Sequence, residues 1–429
     1  MSEPLTPVLF EDDAARASVE PAKRPLRIII ASQYFPPEIG ATQTRMQAFA
    51  EFLAVRGHRV TVICEFPNHP HGVIPADYRG RLIEDDRTNP YRILRVWVKA
   101  NPEKTRASRM AFYLSYMALG TGVGPLAGRA DVVLATTPPL FVGVVGLAVA
   151  RMNLAPLVLD VRDLWPAAAV SLNEISNART LRLAEALERR LYKGSAAVVA
   201  VTRPFCEHID GIRNAPPGTA LIPNGTLERF FVEHDRKVRA GLGIEPGRFL
   251  VTFAGTHGIA QGLPSALEAA SRANGVHFAF VGEGPAKESL VAAARERELQ
   301  NVTFHSQVPI EEIPSILTAS DALLVPLSAH PTFDGFVPSK LFDFMAAGQP
   351  VILSARGEAA RIVERVGAGV VTPPEDPDRL AGAALWLAEH PPEAKEMGRR
   401  GQEFARGQLR RVQAERLEQL LLQLARDRR

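Results

Sequence analysis

Residues 26–64 read LRIIIASQYFPPEIGATQTRMQAFAEFLAVRGHRVTVIC, and this stretch decides the fold class. Leu26–Ala31 is a short, continuous, β-branched run, which predicts a buried strand. Ala41–Arg56 carries apolar residues three or four positions apart, which predicts a helix that ends at Gly57. Val60–Cys64 is the next apolar run and the next predicted strand. This strand–helix–strand order predicts a doubly wound α/β domain built on a parallel sheet.

The same alternation continues along the chain and starts again after Asn224. The further strands predicted in the first half are Ile93–Val98, Val132–Thr136, Leu157–Val161 and Val198–Val201. Those predicted in the second half are Phe249–Ala254, His277–Val281, Val302–His305, Ala322–Pro326, Pro350–Leu353 and Gly369–Val371. The helices between the latter are Pro264–Arg272, Ala286–Glu298, Glu311–Thr318, Ser339–Ala347 and Asp376–Ala388. The chain therefore contains two Rossmann-like halves in tandem.

The predicted domain boundaries follow from this pattern and from composition. Residues 1–24 are polar, acidic and Pro-containing, and we expect a disordered tail. The first Rossmann-like domain spans 25–222 and the second spans 223–391, with a Pro/Gly/Asn-rich hinge at Asn214–Gly225. Residues 392–429 form an amphipathic C-terminal helix. Because ligands of such sheets lie beyond the carboxyl ends of the strands, we expect the two domains to face each other across a ligand-binding cleft.

The composition excludes several classes of protein. With 46% hydrophobic and 23% charged residues the chain is a folded globular protein, and 429 residues suggest two domains. A formal charge of +3 gives no argument for a nucleic-acid partner. The two cysteines, Cys64 and Cys206, have no metal or disulfide spacing, so we expect reduced thiols in the cytosol. No apolar run reaches the ~18 residues of a spanning helix, and no signal peptide is evident.

Two segments of the first half carry candidate functional residues. Gly40 follows the first strand and opens a helix, whose N-terminal N–H groups suit a phosphate or a sugar oxygen. An ordinary strand-to-helix loop fits this segment too. Asp160, Arg162 and Asp163 follow a buried strand, where Arg162 is expected to keep the acids ionised and the acids to bind acceptor hydroxyls or accept a proton. A structural Asp–Arg pair remains the alternative.

Two glycine-rich loops of the second half resemble phosphate-binding loops. Phe253–Gly262 contains Gly255 and Gly262 as well as Gln261, and Val281–Pro285 contains Glu283 between two glycines. Glycine lets a phosphate approach the backbone closely. His257 lies in the first loop and is either a catalytic residue or an ordinary loop residue.

The most informative segment is Phe333–Val351, FDGFVPSKLFDFMAAGQPV. A Gly-containing loop enters a helix at Pro338 and Ser339, where free N–H groups face an anionic diphosphate. Lys340 is a candidate counter-charge for phosphate. Asp343, one turn further on, is a candidate acceptor of hydrogen bonds from ribose hydroxyls. The alternative is a capped helix that is packed by its apolar residues.

The segment Asp334–Val351 resembles the nucleotide-sugar signature of glycosyltransferase family 4, whose members are retaining enzymes of the GT-B fold. The run Leu221–Gly225 and the loops described above fall in the family's order, and the resemblance covers nearly the whole chain from about Leu26. The closer likeness is to the fucosaminyltransferase-like branch of bacterial polysaccharide assembly. It rests on Gln33–Ala41, Asp160–Pro166, Gly258–Gly262 and Val337–Leu341.

The resemblance also implies roles for individual residues. The family has two glutamates separated by seven residues; the second matches Asp343, and the first falls at Gly335, one residue after Asp334. The donor-sugar contact of that first carboxylate is then expected from Asp334 or from the backbone N–H groups of Gly335 and Phe336. The family's phosphate-binding lysine is Gln261 here, which leaves Lys340 and helix N-termini to meet the diphosphate charge.

The predicted function is transfer of a deoxy- or N-acetylamino-hexose from a nucleoside diphosphate donor, with UDP as the expected nucleotide. The acceptor is a lipid-linked or oligosaccharide intermediate of a surface polysaccharide. The resemblance implies retention and no obligatory metal; the acidic runs Glu11–Asp13 and Glu84–Asp86 are not at strand ends. The alternatives are a nucleotide-sugar-binding or epimerase-type protein, or an inactive partner subunit.

We expect a cytoplasmic enzyme with a peripheral contact to the inner membrane. Lys104–Arg109 is basic and precedes the aromatic-rich run Met110–Met117, a combination suited to an anionic lipid surface. The alternative is that this helix belongs to the core of the first half.

Overall fold

The computed structural model describes residues 5–10, 16, 19–69, 71–103, 105–171, 177–216, 218–232, 238–245 and 247–427. The chain divides into two compact units. The first comprises the chain up to Asn224 together with the segment from Arg410, and the second is Gly225–Leu409.

The first unit is built on an eight-stranded sheet of order β3-β4-β2-β1-β5-β6-β7-β8. All neighbouring pairs are parallel except β3–β4. The strands are β1 Arg27–Ala31, β2 Arg59–Glu65, β3 Ile83–Asp86, β4 Arg92–Val96, β5 Val132–Thr137, β6 Leu157–Val161, β7 Ala197–Ala200 and β8 Ala220–Leu221. The helices before and between them are α1 Ala41–Val55, α2 Arg106–Gly122, α3 Leu140–Met152, α4 Ala167–Ser171, α5 Ala178–Gly194 and α6 Arg203–Arg213.

The second unit is built on a six-stranded, fully parallel sheet of order β11-β10-β9-β12-β13-β14. The strands are β9 Phe249–Ala254, β10 Val276–Val281, β11 Val302–His305, β12 Ala322–Pro326, β13 Val351–Ser354 and β14 Gly369–Thr372. The helices are α7 Val238–Gly241, α8 Leu263–Arg272, α9 Lys287–Glu296, α10 Ile313–Ala319, α11 Lys340–Ala346, α12 Gly357–Val366, α13 Pro377–Glu389 and α14 Pro391–Arg406. Both units are thus parallel-sheet α/β units, as the sequence predicts.

The predicted C-terminal helix is two helices that belong to different units. α14 packs on α11 in the second unit, whereas α15, Arg410–Asp427, packs on α1 in the first. Glu418 of α15 accepts a hydrogen bond from Arg56 Nε at 2.9 Å, and its Oε1 lies 2.8 Å from His58 Nε2. The interruption between α14 and α15 has a physical cause. The chain between the two helices pairs with Thr226, whose N–H donates to Gln408 O at 2.9 Å.

The described part of the N-terminal segment packs on the first unit, which differs from the disordered tail we expected. Leu9 and Phe10 are buried. The N–H groups of Val8 and Leu9 each donate to Glu51 Oε2 at 2.9 Å. Residues 7–10 form an apolar run, and burial of Leu9 and Phe10 stabilises its position on the first unit.

Candidate donor and acceptor sites

The carboxyl ends of β1, β5 and β6 meet at one edge of the first sheet, because these strands are parallel neighbours. A cavity of about 290 Å³ opens at this edge. Its walls combine rings from the strand-end loops and from α2 and α3 with the polar residues that follow β6. The lining residues include Tyr34, Tyr113, Pro138, Phe141, Arg162, Asp163 and Trp165.

Asp163 is the acidic group of this cavity. Burial raises the pKa of Asp163 to about 6, and the Arg162 guanidinium opposes this shift without cancelling it. Arg162 donates from Nε to Thr136 Oγ1 at 2.8 Å and from Nη2 to Pro138 O at 2.9 Å. The carboxyl group is therefore mostly ionised at pH 7 and becomes neutral below about pH 6. The Arg162 charge therefore does not keep the pKa of Asp163 at its usual value, whereas the sequence predicts that Arg162 keeps this acid ionised.

Asp160 is an internal anchor, although the sequence suggests an acceptor-binding acid. Its side chain is fully buried in an ion pair with Arg45, with 2.8 Å between Nη2 and Oδ1. Thr136 Oγ1 also donates to Asp160 Oδ2 at 3.0 Å. Arg45 in turn donates to the carbonyl oxygens of Ile222 and Pro223. Because the Asp160 side chain is fully buried and paired with Arg45, the structural alternative fits it better.

A buried polar cluster, which the sequence does not predict, lies at the ends of β1 and β2. Gln33 Nε2 and Asn68 Nδ2 donate to the two carboxyl oxygens of Glu65, each at 2.8 Å. Glu38 Oε1 accepts from the backbone N–H groups of Asn68 and His69, each at 2.7 Å. Burial, and then the Glu38 charge, raises the pKa of Glu65 well above its usual value. Glu65 ends an apolar run, so nothing in the sequence marks it as functional.

In the second unit, the glycine-rich loops after β9 and β10 bind each other. The His257 N–H donates to Glu283 O at 2.9 Å. A Cβ atom on Gly282 would lie 2.1 Å from Gly255 O, and one on Gly284 would lie 2.5 Å from His257 O. From the sequence, we expect these glycines to allow close approach by a phosphate. In the structure, protein backbone occupies the space beside Gly282 and Gly284, so these two glycines serve loop packing.

Lys340, at the start of α11, reaches back to the loop after β9. Its Nζ lies 3.9 Å from the centroid of the Phe253 ring, and a Cβ atom on Gly255 would lie 2.5 Å from it. This Nζ is buried and makes no hydrogen bond within the described residues. Burial lowers the pKa of Lys340 to about 7, against the opposing charge of Asp343. An amine in this position is suited to an anionic ligand, which would supply the missing hydrogen bonds.

His257 is fully buried between Phe253 and Phe280, with ring centroids 5.6 and 6.4 Å away. Neither ring nitrogen makes a hydrogen bond within the described part of the chain. Burial, and then the charges of Lys287 and Lys340, lowers the pKa of His257 to about 4. The ring is therefore neutral at pH 7, which favours the packing interpretation over an acid–base role.

Asp343 lies one turn beyond Lys340 on α11. Its Oδ1 accepts a hydrogen bond from Thr226 Oγ1 at 2.8 Å. Because Thr226 also pairs with the segment at Gln408, it fixes the position of this carboxylate within the second unit. The second unit thus combines a buried amine and an oriented carboxylate on one short helix.

Two family models match the chain in tandem. The glycosyl transferase 4-like domain matches residues 40–225, and the glycosyl transferases group 1 family matches residues 235–404. The chain belongs to the family 4 glycosyltransferases. It is therefore a transferase of glycosyl groups.

Individual relatives and solved structures agree with this membership. The chain is 24% identical to the colanic acid biosynthesis glycosyl transferase WcaI of Escherichia coli strain K12, over 87% of this chain and 96% of WcaI. It is 28% identical to the glycosyltransferase WbjE of Pseudomonas aeruginosa, over 59% of this chain and 65% of WbjE. Sucrose-phosphate synthase from Thermosynechococcus elongatus superposes with a TM-score of 0.72 at 20% identity, covering 93% of this chain and 99% of that chain. Anabaena HepE in complex with UDP and glucose superposes with a TM-score of 0.69 at 17% identity, covering 93% of this chain and 100% of that chain. These likenesses show the GT-B fold.

The residues at the family's first acidic position lie in a 3-10 turn, Pro331–Gly335. Asp334 is half-exposed, and its Oδ1 lies 3.8 Å from Arg356 Nε. The Phe336 N–H already donates to Phe333 O at 3.0 Å, so it is not available to replace the missing carboxylate. The donor-sugar contact stays a prediction for Asp334 and for the N–H of Gly335.

The other predicted ligand contacts also stay predictions. Gly40 precedes α1, Gln261 ends the 3-10 turn Ile259–Gln261, and Gly262 takes the left-handed conformation that begins α8. Glu283 accepts a hydrogen bond from Lys287 Nζ at 2.6 Å, which lowers its pKa. Ser339 makes no side-chain cap bond, and α11 is only seven residues long, so Lys340 is the stronger anion-binding feature.

Within the described residues, no group of three His, Cys, Asp or Glu side chains is arranged as metal ligands would be. The acidic run Glu84–Asp86 is part of the edge strand β3, where Asp85 pairs with Arg92 and Arg87. Both cysteines are free thiols. In the same part of the chain, none of the helices has the length and apolar character needed to span a bilayer.

Proposed function

We propose that this glycosyltransferase transfers a deoxy- or N-acetylamino-hexosyl group from a UDP-sugar to a lipid-linked or oligosaccharide acceptor. The reaction proceeds with retention and belongs to the assembly of a bacterial surface polysaccharide in the cytoplasm. The observation that carries the donor half of this proposal is the buried Nζ of Lys340, which makes no hydrogen bond and lies beside Gly255 and Phe253.

The chemistry of the second unit supports a nucleoside diphosphate. The Lys340 ammonium binds a phosphate oxygen, and Asp343 accepts hydrogen bonds from the ribose hydroxyls. UDP is the expected nucleotide because the solved structures of HepE contain UDP or UDP-glucose. The acceptor assignment is supported by WcaI, which is named for colanic acid biosynthesis.

The transfer step is assigned to two charged groups, Asp163 and Lys340. The bond between the anomeric carbon and the diphosphate oxygen breaks, and the oxygen keeps the electron pair. A bond forms between the anomeric carbon and an acceptor hydroxyl oxygen on the face from which the diphosphate leaves, as retention in a single displacement requires, and the hydroxyl proton passes to a base. Asp163 is our candidate base, since its carboxyl group is mostly ionised at pH 7. Lys340 stabilises the charge on the leaving diphosphate.

A thermal-shift screen over UDP-, GDP- and ADP-sugars tests the donor assignment, because a ligand stabilises in proportion to the logarithm of its concentration over its dissociation constant. We expect UDP-sugars to raise the melting temperature most. Release of free sugar from the preferred donor is then measured without acceptor. Binding without any hydrolysis or transfer would favour the nucleotide-sugar-binding alternative, and no stabilisation by any donor would refute the proposal.

The membrane contact concerns α2, whose first turns are basic. Arg106 and Arg109 precede Met110 and Leu114, which are 40% and 41% exposed and lie four residues apart on the same side of the helix. Tyr113 of the same helix lines the cavity of the first unit. One helix therefore presents apolar side chains to solvent and an aromatic ring to the cavity, which favours the membrane-contact interpretation. Lys104 lies outside the described residues.

Flotation with vesicles containing anionic lipid tests this contact. We expect salt-sensitive binding that the double change Met110→Gln, Leu114→Gln weakens. The same change at Leu154 and Leu183, which are 80% and 73% exposed and lie in the turn after α3 and on α5, is the control. Equal binding by both double variants would contradict the assignment to α2.

A further inference from the structure

The cavity of the first unit has aromatic and proline walls. Tyr113 and Phe141 stack with 6.0 Å between ring centroids and 20° between ring planes. Tyr34 and Trp165 add two more rings, and Pro138 adds a rigid apolar surface. Flat, preformed apolar surfaces of this kind bind flat apolar faces of a ligand with little loss of conformational entropy.

The polar groups at the cavity have unequal roles. Two N–H groups of Arg162 are engaged by Thr136 and Pro138, so the guanidinium is held in place by the protein itself. Asp163 offers a carboxylate oxygen, which accepts hydrogen bonds from hydroxyl groups. The ligand is therefore a hydroxyl donor with at least one apolar face.

The size of the cavity limits the ligand further. Pockets for drug-sized ligands are on the order of 300–1,000 Å³, and this cavity of about 290 Å³ lies at the lower end. It has room for one ring. A polyisoprenoid chain would exceed this volume and would also bury its methylenes against the charged Asp163.

We propose that this cavity binds the terminal sugar of the acceptor as a single ring, with an apolar face against Trp165 and Tyr113 and a hydroxyl group on Asp163. A ring with a deoxy carbon or an acetyl methyl group fits these walls better than a fully hydroxylated one. This inference rests on the proposed glycosyl transfer and adds the class of acceptor residue and the side chains that select it.

Trp165 gives the cavity its own spectroscopic reporter. Intrinsic fluorescence is titrated with methyl glycosides of 6-deoxy-hexoses and of N-acetylamino-hexoses, with uridine and geranyl phosphate as competing probes. We expect a saturable change with one or more glycosides that is lost in Trp165→Ala. The matched control is Trp386→Ala, since Trp386 is 37% exposed, stacks on His390 and belongs to the second unit. It should keep the change.

A second variant protects the test against misfolding. Phe141→Leu retains an apolar side chain and should weaken glycoside binding about tenfold through loss of the aromatic face. A glycoside signal that survives in Trp165→Ala, or a Trp165-dependent signal with uridine or geranyl phosphate alone, overturns the inference. So does the lack of any glycoside signal in a wild-type preparation that hydrolyses its donor. Failure of donor binding and hydrolysis would instead count against the proposed function.

Discussion

At the carboxyl ends of their strands, the first unit buries acids and the second unit buries bases. Asp163 and Glu65 both have raised pKa values, whereas Lys340 and His257 both have lowered ones, and burial is the largest cause each time. Asp163 gives the first unit an oxygen acceptor that lines its cavity. Lys340 gives the second unit an N–H donor with no hydrogen-bond partner among the described residues. Glu65 and His257 are held inside their own units. Acceptors suit the hydroxyl groups of a sugar acceptor, and donors suit the phosphates of a nucleotide. The ligands proposed for the two units therefore differ in polarity, although both sheets belong to the same class.

The largest effect should come from the acid of the first unit. Asp163→Asn keeps the shape of the side chain and removes its charge, so turnover should fall roughly two to four orders of magnitude. Nucleotide binding should be nearly intact, since Asp163 lies in the other unit from Lys340. Calorimetry with UDP and a transfer assay on the same preparation separate the two effects.

The pH dependence sharpens this expectation. Transfer by the wild type should decline as pH falls through about 6, because the carboxylate becomes protonated there. Equal loss of nucleotide binding and turnover in Asp163→Asn would place the residue in the donor site or in the structural framework of the protein. The proposed division of acceptor and donor binding between the two units would then be wrong.

The next effect concerns the base of the second unit. Lys340→Met keeps the apolar stem and removes the amine, so UDP affinity should fall by about 2–5 kcal/mol, the usual loss when one partner of a buried charge pair is truncated. In the wild type, UDP affinity should weaken as pH rises above about 7, where free Lys340 loses its proton. Uridine, which lacks phosphates, should show no such dependence. The exposed Lys395, changed to Met, is the matched control, and UDP binding that matches this control would refute the phosphate role.

A smaller effect tests the ribose contact of Asp343. Asp343→Ala should weaken UDP and uridine alike by about 1.5–3 kcal/mol, and Asp343→Glu should retain much of the affinity. Thr226→Val removes the hydroxyl group that binds Asp343 Oδ1 and keeps the carboxylate. We expect a smaller loss from Thr226→Val, because the carboxylate remains and only its orientation is weakened. Unchanged UDP and uridine affinity in a folded Asp343→Ala variant would refute the ribose assignment.

The smallest effect is on stability. Because its folded-state pKa is raised, Glu65 contributes stability that is present below the ordinary carboxyl pKa and is lost as pH rises through the raised value. Glu65→Gln cannot ionise, so it should lose less stability than the wild type when the pH is raised from 5 to 9. The difference between the two losses should be on the order of 1 kcal/mol. Urea unfolding at both values measures this, and identical pH dependence in the two proteins would contradict it.

The sequence predicted the sheets better than the contacts at their ends. Phe249–Ala254, Val302–His305 and Ala322–Pro326 were predicted with the observed bounds, since continuous apolar runs mark buried parallel strands. The edge strand β3 was missed because its sequence, IEDD, is acidic and its pairing depends on arginines of β4. Edge strands lack the burial that produces an apolar pattern.

The site residues divide in the same way. The motifs identified the acidic and basic positions, but they did not predict where the side chains point. Asp160 and Asp163 are three residues apart, yet one is an internal ion-pair partner and the other lines a cavity. The buried state of Lys340 depends on Gly255 being close in space, which no local pattern encodes. Motifs thus gave the residue types, and packing decided which of them face a ligand.

The passage of α15 back to the first unit has a consequence for synthesis on the ribosome. The first unit begins to emerge before the second, yet its last helix is translated after the whole of the second. Until then, Arg56 and buried His58 lack their shared partner Glu418, and the α1 surface that α15 covers is exposed. Nascent domains usually fold in the order in which they appear. Here the continuous second unit has all its residues first, and the earlier unit is the last to be completed.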